Sequence, residues 1–177
     1  MVEGGEPTSR LIANEGGSAN FVACDVSIAS DVDRVVETAV TLNGRLDILV
    51  NNAAIHGAKP LLETDEPRWD HVMGVNLKGP YLCARAAIRQ MLCQEIDGGA
   101  RGRIVNITSQ HGMISAPEDF VYGVSKAGLV YMTRQIAADY ARQHIVCNAV
   151  APGKILAGTK PALGATAGAG SMRRRQR

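Results

Sequence analysis

The residues of this sequence best suited to chemistry are Tyr122 and Lys126. Their spacing places them one turn apart on the same face of a helix. A nearby ammonium ion favours an ionised phenolate, so a tyrosine in that position is a better acid/base at neutral pH than an isolated one, whose pKa is about 10. Ser109 adds a hydroxyl at the end of an apolar run. Together these residues predict proton transfer at a carbonyl or alcohol oxygen, although the pair alone also fits an exposed Tyr/Lys pair on an amphipathic helix.

The segments that carry these residues alternate between strand and helix patterns. Short apolar runs predict strands, and longer stretches with helical spacing predict helices. The predicted strands are residues 20–24, 46–50, 103–108 and 145–150. The predicted helices are one that Ser30 caps and Gly44 ends, followed by residues 64–73, 76–96 and 119–143. This alternation predicts an α/β fold in which helices cover a parallel sheet.

The composition is that of one globular domain. The chain has 177 residues, of which 46% are apolar and 20% charged, which is enough for a sizeable core. A net charge of +2 gives no reason to expect a nucleic-acid partner. Without an apolar run of about 18 residues or a signal-peptide pattern, we expect no membrane partner and a cytoplasmic location. Cysteines and histidines are scattered without metal-ligand spacing, which predicts no metal site.

The character of the sequence changes after Lys154. We expect residues 1–156 to form the folded domain. Residues 157–177 are rich in Ala and Gly and end in arginines, a composition that predicts a disordered, solvated tail.

Six short motifs occur in a characteristic order along the chain. They are Asp25-Val26 after a predicted strand, Asn51-Asn52-Ala53-Ala54, Val75-Asn76, Ser109, the pair Tyr122 and Lys126, and Pro152-Gly153. As an ordered set they resemble the short-chain dehydrogenase/reductase family over most of residues 8–156. The resemblance implies a Rossmann-like parallel sheet with helices on both faces, and an oxidoreductase that uses NAD or NADP.

The resemblance also implies a role for each residue of the reaction centre. Tyr122 would be the general acid/base, and Lys126 would favour its phenolate and hydrogen-bond the nicotinamide ribose. Ser109 would hold the substrate oxygen and stabilise charge that develops on it. Asn76 would bind a water that links Lys126 to bulk solvent. Taken alone, Ser109 could equally end a strand, and Asn76 could cap the long helix.

A second set of residues would border the cofactor. The resemblance places Asp25 at the adenine amino group and Pro152, Gly153 and Ile155 beside the nicotinamide. The full implied set is Asp25, Val26, Asn52, Ala53, Ala54, Tyr122, Lys126, Pro152, Gly153 and Ile155. Asp25 could instead cap the following helix, and Asn51 and Asn52 could be turn residues. Ala54 replaces a glycine of the family motif, and Ala157 stands where a threonine usually contacts the nicotinamide amide, with Thr159 two residues late.

One family motif, the glycine-rich turn TGxxxGxG, does not occur in the sequence. By spacing, the chain would lack the first two strands and the first helix, the residue that selects NAD or NADP, and the C-terminal part that covers the substrate. The predicted strand 20–24 would then either pair directly with 46–50 or come loose. In the second case 46–50 becomes an apolar sheet edge.

Two functions are therefore open from the sequence. The first is hydride transfer between a nicotinamide cofactor and a secondary alcohol or ketone. The second is a catalytically inactive fragment that acts through oligomerisation of the helices at 76–96 and 119–143, which would also make a homo-oligomer of the enzyme. Polar residues near the reaction centre favour a sugar- or polyol-like substrate, unless they are ordinary surface loop residues. They are Gln110, His111, Glu118 and Asp119.

Overall fold

A computed structural model of the chain describes residues 7–153 and residue 155, so the tail predicted at 157–177 lies outside the described residues. Three strands form one parallel sheet in the order β1-β2-β3. They are β1 (Ile48–Asn51), β2 (Gly102–Ile107) and β3 (Ile145–Val150). The parallel sheet predicted from the alternating pattern is confirmed, and β3 has the predicted bounds.

Five α-helices are found in the described part of the chain. They are α1 (Thr8–Asn14), α2 (Ala29–Asn43), α3 (Glu66–Met73), α4 (Gly79–Leu92) and α5 (Phe120–Tyr140). A π-helical turn (Gly74–Lys78) joins α3 to α4, and short 3₁₀ turns occupy Leu61–Glu63, Gln110–Gly112 and Ala141–Gln143. The helix predicted at 76–96 is therefore a π turn and α4, and it ends earlier than predicted. Helix α1 was not predicted from the sequence.

The predicted ends of α2 have different outcomes. Gly44 ends the helix as predicted, with a φ of 76°, in the left-handed region that glycine adopts without steric cost. Ser30 does not cap it, because the helix already begins at Ala29. The polar groups at this end are used differently: Asp31 Oδ2 accepts a hydrogen bond of 2.9 Å from the backbone of Asp25.

The main core lies between the sheet and the pair α4 and α5. Its buried apolar side chains come from α4 and from one face of the sheet, and partly buried side chains of α5 pack against them. The buried residues are Ala84, Ala87, Ile88, Met91, Ile104, Ile145 and Cys147, and those of α5 are Ile136, Ala137 and Tyr140. Gly102 allows the closest approach, because a Cβ there would lie 2.2 Å from Met91 Sδ. Helix α4 therefore packs almost directly on the backbone of β2.

The opposite face of the sheet is largely open. Its apolar side chains are exposed: Ile48 by 57%, Val50 by 53%, Val146 by 41% and Val150 by 50%. In the described part of the chain, helices thus pack on one face, whereas both faces were expected to be covered. The strand order explains this, since three parallel strands in sequential order, joined by right-handed crossovers, place both connections on the same side.

The predicted strand at residues 20–24 does not form. This segment has no strand structure, and Phe21 is 86% exposed. A strand needs a neighbour for its backbone groups, and here the carbonyl of Ala23 instead accepts from the Arg34 side chain at 3.0 Å. The second of the two expected outcomes is therefore found: the segment is separate from the sheet, and β1 is an edge strand.

A buried row of polar side chains crosses the sheet beneath α5. Asn51 Nδ2 donates to Asn106 Oδ1 (2.8 Å), and Asn106 Nδ2 donates to Thr133 Oγ1 on α5 (2.9 Å). The hydroxyl of Thr133 in turn donates to the carbonyl of Leu129 (2.8 Å). Asn51 and Asn106 are register partners on β1 and β2. Asn51 is thus a tie between strands rather than a turn residue.

Candidate active site

Helix α5 places a buried ammonium ion beside the phenol ring of Tyr122. Lys126 Nζ lies 5.6 Å from the centroid of that ring and donates a 2.8 Å hydrogen bond to the carbonyl of Ile107, the last residue of β2. Lys126 is only 2% exposed, and this burial lowers the pKa of its ammonium group. Tyr122 and Lys126 thus lie one turn apart on α5, as their spacing predicted, at the carboxyl end of the sheet.

Ser109 stands directly after β2, at the start of a turn that packs on α5. Its Oγ accepts a hydrogen bond from the backbone N–H of His111 (3.1 Å). A Cβ at Gly112 would lie 2.9 Å from the backbone carbonyl of Lys126. A Cβ at Gly123 would lie 3.3 Å from the carbonyl of His111. The two glycines therefore let the turn that carries Ser109 lie directly on the turn of α5 that carries Lys126.

Asn76 lies in the π-helical turn, completely buried. Its side-chain amide pairs with the backbone of Ile55, accepting at 2.9 Å and donating at 2.9 Å, and its second N–H donates to Ser125 Oγ at 3.2 Å. Ser125 Oγ donates to the backbone carbonyl of Tyr122 (2.7 Å). Since both amide N–H groups are occupied, a water at Asn76 would be held by an oxygen atom of this residue.

Some of the residues predicted to bind the cofactor border one cavity. Val26, Asn52 and Ala53 line a mainly apolar cavity of about 210 Å³ between α2 and β1. Ala54 is exposed and is not among the lining residues. Asp25 stands next to Val26, and its Oδ1 accepts from the hydroxyl (2.7 Å) and the backbone N–H (2.9 Å) of Ser27. These hydrogen bonds lower the pKa of the Asp25 carboxyl.

The predicted nicotinamide-side residues lie near the Ser109 turn. The carbonyl of Pro152 accepts from the backbone N–H of Gln110 (3.1 Å), and Gly153 faces the Gln110 side chain. Ile155 is 64% exposed, so it has few contacts with the rest of the chain. Pro152 and Gly153 thus lie against the turn that carries Ser109.

The donor set at Lys126 fits the ribose of a nicotinamide nucleotide. An ammonium group has three N–H donors, and among the described residues only Ile107 accepts one from Lys126. A buried cation with spare donors is costly unless a further acceptor is present. A pair of ribose hydroxyls provides such acceptors, so the residues at this end of the site fit the cofactor.

Three side chains form a group around the ring of Tyr122, and the sequence predicted only two of them. His56 and His111 contact the ring of Tyr122, with centroid distances of 4.8 Å and 6.3 Å, and both imidazoles contact the carboxylate of Asp119. The sequence indicated His111 and Asp119 as polar neighbours, and they do lie together. Glu118 is exposed instead, with a φ of 62°. His56 had no sequence signal apart from its place after β1.

No metal site accompanies this group. Among the described residues, no cluster of three or more His, Cys, Asp or Glu side chains has an arrangement that could hold a metal ion. Within the same residues, none of the helices combines the length and apolar character needed to cross a bilayer.

Comparison with known proteins identifies relatives along most of the chain. The family model for short chain dehydrogenases matches residues 2–167. An uncharacterised oxidoreductase of Thermotoga maritima is 46% identical over 151 residues, covering 85% of this chain and 57% of the relative. A 3-oxoacyl-[acyl-carrier-protein] reductase of Synechocystis sp. is 39% identical over 147 residues, covering 83% of this chain and 57% of that protein.

A solved structure shows the same fold. The gluconate 5-dehydrogenase of Burkholderia cenocepacia J2315, crystallised with NADP and tartrate, superimposes with a TM-score of 0.74 at 32% identity. The match covers 82% of this chain and 55% of the dehydrogenase. The chain therefore spans somewhat more than half the length of the relatives it matches.

Proposed function

Because the chain belongs to the short chain dehydrogenase family, we propose that it is an oxidoreductase that transfers a hydride between NAD or NADP and a secondary alcohol or ketone. One observation carries the proposal. The buried ammonium of Lys126 lies 5.6 Å from the ring of Tyr122, and the turn that follows Ser109 packs on the backbone of Lys126. This arrangement supports proton transfer at an oxygen atom bound between Tyr122 and Ser109.

In alcohol oxidation, Tyr122 accepts the hydroxyl proton while Ser109 hydrogen-bonds the same oxygen. Lys126 places a positive charge 5.6 Å from the centre of the Tyr122 ring, close to where negative charge develops when Tyr122 transfers its proton. Bound NAD or NADP supplies the acceptor for the hydride that leaves the carbinol carbon. The reverse reaction uses Tyr122 as the acid that protonates the carbonyl oxygen.

The proton must then reach solvent. Lys126 is buried, so its ammonium cannot exchange freely with bulk water. We assign the next step to a water held by an oxygen of Asn76, since both N–H groups of that amide are already used. Asn76 also fixes the geometry, because it connects through Ser125 to the turn of α5 that carries Tyr122.

Two further features of the function are part of the proposal. The polar side chains around Tyr122 suit a polar substrate such as a sugar or polyol, and the related gluconate 5-dehydrogenase was crystallised with tartrate, a polyhydroxylated acid. Helices α4 and α5 share an apolar groove of about 260 Å³ with the side chains of Tyr81, Leu92 and Met132 on its walls, which suits a homo-oligomer formed through these helices. The cytoplasmic location stays a prediction.

Cofactor titration tests the proposal. Fluorescence titration of the full chain with NADH and with NADPH should give saturable binding of at least one of them. Lys126→Met should weaken that binding by roughly tenfold, as expected for loss of a charge-assisted hydrogen bond, whereas Lys78→Met, at an exposed position, should not. Absence of binding for both nucleotides at millimolar concentration would refute the proposal and favour a catalytically inactive chain.

A further inference from the structure

A buried carboxylate connects three chain segments around the ring of Tyr122. Asp119 directly precedes α5 and is 7% exposed. Its Oδ2 contacts Nδ1 of His111, from the turn after β2, and its Oδ1 lies 2.9 Å from Nε2 of His56, from the loop after β1. Within the described residues Oδ1 has no hydrogen bond, although His56 Nε2 lies within ion-pair distance of it. One carboxylate thus lies between two imidazole rings.

Both imidazoles lie against Tyr122. The ring of His56 is tilted by 54° at a centroid distance of 4.8 Å, and that of His111 is nearly perpendicular at 6.3 Å. Gly57 permits the closer contact: a Cβ there would lie 2.9 Å from Val72 Cγ2 and 3.1 Å from Val121 Cγ1. The loop can therefore enter between α3 and α5, and the position of His56 is built into the fold.

The carboxylate of Asp119 favours one tautomer of His56. Because Oδ1 lies 2.9 Å from Nε2, a proton on Nε2 is favoured over a lone pair that faces the negative charge. In that tautomer Nδ1 is a hydrogen-bond acceptor. None of the described residues bonds this Nδ1, and the side chain is 58% exposed. In His111, by contrast, Nδ1 faces Asp119 and Nε2 lies 3.4 Å from Gln110 Nε2.

We infer that His56 determines substrate specificity: its Nδ1 accepts a hydrogen bond from a hydroxyl on the carbon next to the reacting one, while Tyr122 serves the reacting oxygen. Because the two rings are in contact, they can reach oxygens on adjacent carbons. The substrate class is therefore α-hydroxy ketones and vicinal diols. A substrate with a carboxylate in place of that hydroxyl has no proton to donate to Nδ1, and the negative charge of Asp119 would repel it. The inference rests on the proposed alcohol and ketone chemistry of Tyr122.

Three small ketones test the inference with the full chain. Butanone has no second oxygen, acetoin adds a hydroxyl next to the carbonyl, and the methyl ether of acetoin keeps that oxygen but cannot donate. Saturation-transfer NMR at about pH 8, where imidazole is ordinarily neutral, gives their relative affinities in the presence of NAD or NADP. Acetoin should bind about 3- to 10-fold more tightly than the other two, as one hydrogen bond allows. Equal affinity for acetoin and its ether, or binding of none, overturns the inference.

Two variants at His56 separate recognition from folding. His56→Phe keeps an aromatic ring against Tyr122 but has no acceptor, so the preference for acetoin should fall to about one. His56→Gln keeps an acceptor and should retain part of the preference. Circular dichroism melts show whether each variant is folded. If folded His56→Phe binds acetoin with the wild-type preference, the inference is wrong.

His144→Asn is the matched control. His144 has a φ of 61°, which asparagine tolerates, and it precedes β3 at the end of the sheet opposite to the site. Its replacement should leave the preference for acetoin unchanged.

Titration with NADH and NADPH distinguishes failure of the inference about His56 from failure of the proposed function. Cofactor binding without a preference for acetoin contradicts only the role of His56, and a preference for acetoin without cofactor binding contradicts only the proposed function.

Discussion

At the level of single residues, the site depends on an ammonium ion that is almost completely removed from water. Lys126 lies beneath the Ser109 turn, with one hydrogen bond to Ile107 and the ring of Tyr122 beside it. Burial disfavours its charged form, so the position of this ammonium ion beside Tyr122 comes at some expense of stability.

Lys126 should make the stability of the chain depend on pH. Its folded-state pKa is lowered by burial, so between that value and about 10.4 the unfolded chain binds the proton more tightly than the folded chain. The free energy of unfolding of the wild type, relative to Lys126→Met, should therefore rise as pH increases through this window. Urea unfolding of both proteins at about pH 7 and about pH 10 measures the difference. A difference that is constant, or that falls with pH, would show that burial does not destabilise the charged lysine.

The sequence predicted Tyr122, Lys126, Ser109 and Asn76 as a group because ordered local motifs carry them. His56 could not be predicted in the same way. It meets Asp119 only through the tertiary fold, as the loop after β1 reaches the start of α5. Nothing in the local spacing of a single histidine indicates such a contact.

At the level of elements, close backbone contact between the Ser109 turn and α5 sets the geometry of the site. Gly112→Ala would place a methyl group 2.9 Å from the backbone of Lys126, which cannot move aside as a side chain could. The turn should shift away from α5, and kcat/KM should fall about 100-fold, as for other small misplacements of reacting groups.

A second glycine provides the control for this prediction. Gly74→Ala adds a methyl group whose nearest neighbour is Ser27 Cβ at 3.8 Å, an ordinary contact. Its activity should stay close to that of the wild type. If Gly112→Ala is as active as Gly74→Ala, the packing of the turn on α5 does not position Ser109.

The polar row across the sheet should contribute to stability through its hydrogen bonds. Thr133→Val keeps the shape of the side chain but removes the oxygen acceptor of the buried Asn106 amide, which then has only the weaker acceptor Cys147 Sγ at 3.7 Å. The free energy of unfolding should fall by about 1–3 kcal/mol. Thr38→Val is the matched control, because Thr38 also donates to a helix carbonyl, that of Arg34, but at a partly exposed position. Its cost should be about 0.5 kcal/mol. Urea unfolding measures both variants. A similar loss of unfolding free energy in the two would contradict a stabilising role of the buried polar row.

Sequence patterns predicted the strands and helices where local signals and tertiary packing agree. Strand β3 and helix α5 are examples, since apolar side chains of both enter the main core. Residues 20–24 have an equally apolar pattern, yet they form no strand, because strand formation also requires a neighbouring backbone. The π-helical turn at Gly74–Lys78 is similar: it depends on contacts of Asn76 with Ile55 and Ser125 that a helical pattern does not contain.

At the level of the whole molecule, apolar surface remains on two sides. One is the open face of the sheet, with Ile48, Val50, Val146 and Val150, and the other is the groove between α4 and α5. Monomeric proteins seldom expose large contiguous apolar patches. The groove is the surface proposed for oligomerisation.

Oligomerisation through α4 and α5 predicts a specific effect of one substitution. Leu92, 42% exposed, lines the groove, so Leu92→Lys should weaken self-association at least about tenfold, which corresponds to about 1.4 kcal/mol. Leu62→Lys is the control, because Leu62 is 98% exposed on the 3₁₀ turn Leu61–Glu63. Sedimentation equilibrium measures both. A wild-type chain that is monomeric at all concentrations, or equal effects of the two variants, would contradict the interface.

Hydride transfer itself is the central claim, and isotope transfer tests it most directly. The substrates are isopropanol and butane-2,3-diol, deuterated at their carbinol carbons. Each is incubated with the full chain and with NAD or NADP, and mass spectrometry then measures deuterium in the reduced nucleotide. We predict deuterium in the reduced nucleotide with wild type and with Tyr131→Phe, which changes an exposed tyrosine of the same helix. Tyr122→Phe should lower the rate of transfer about 100- to 10,000-fold, the usual contribution of a general acid/base. Transfer by wild type no faster than by Tyr122→Phe would contradict the proposed function.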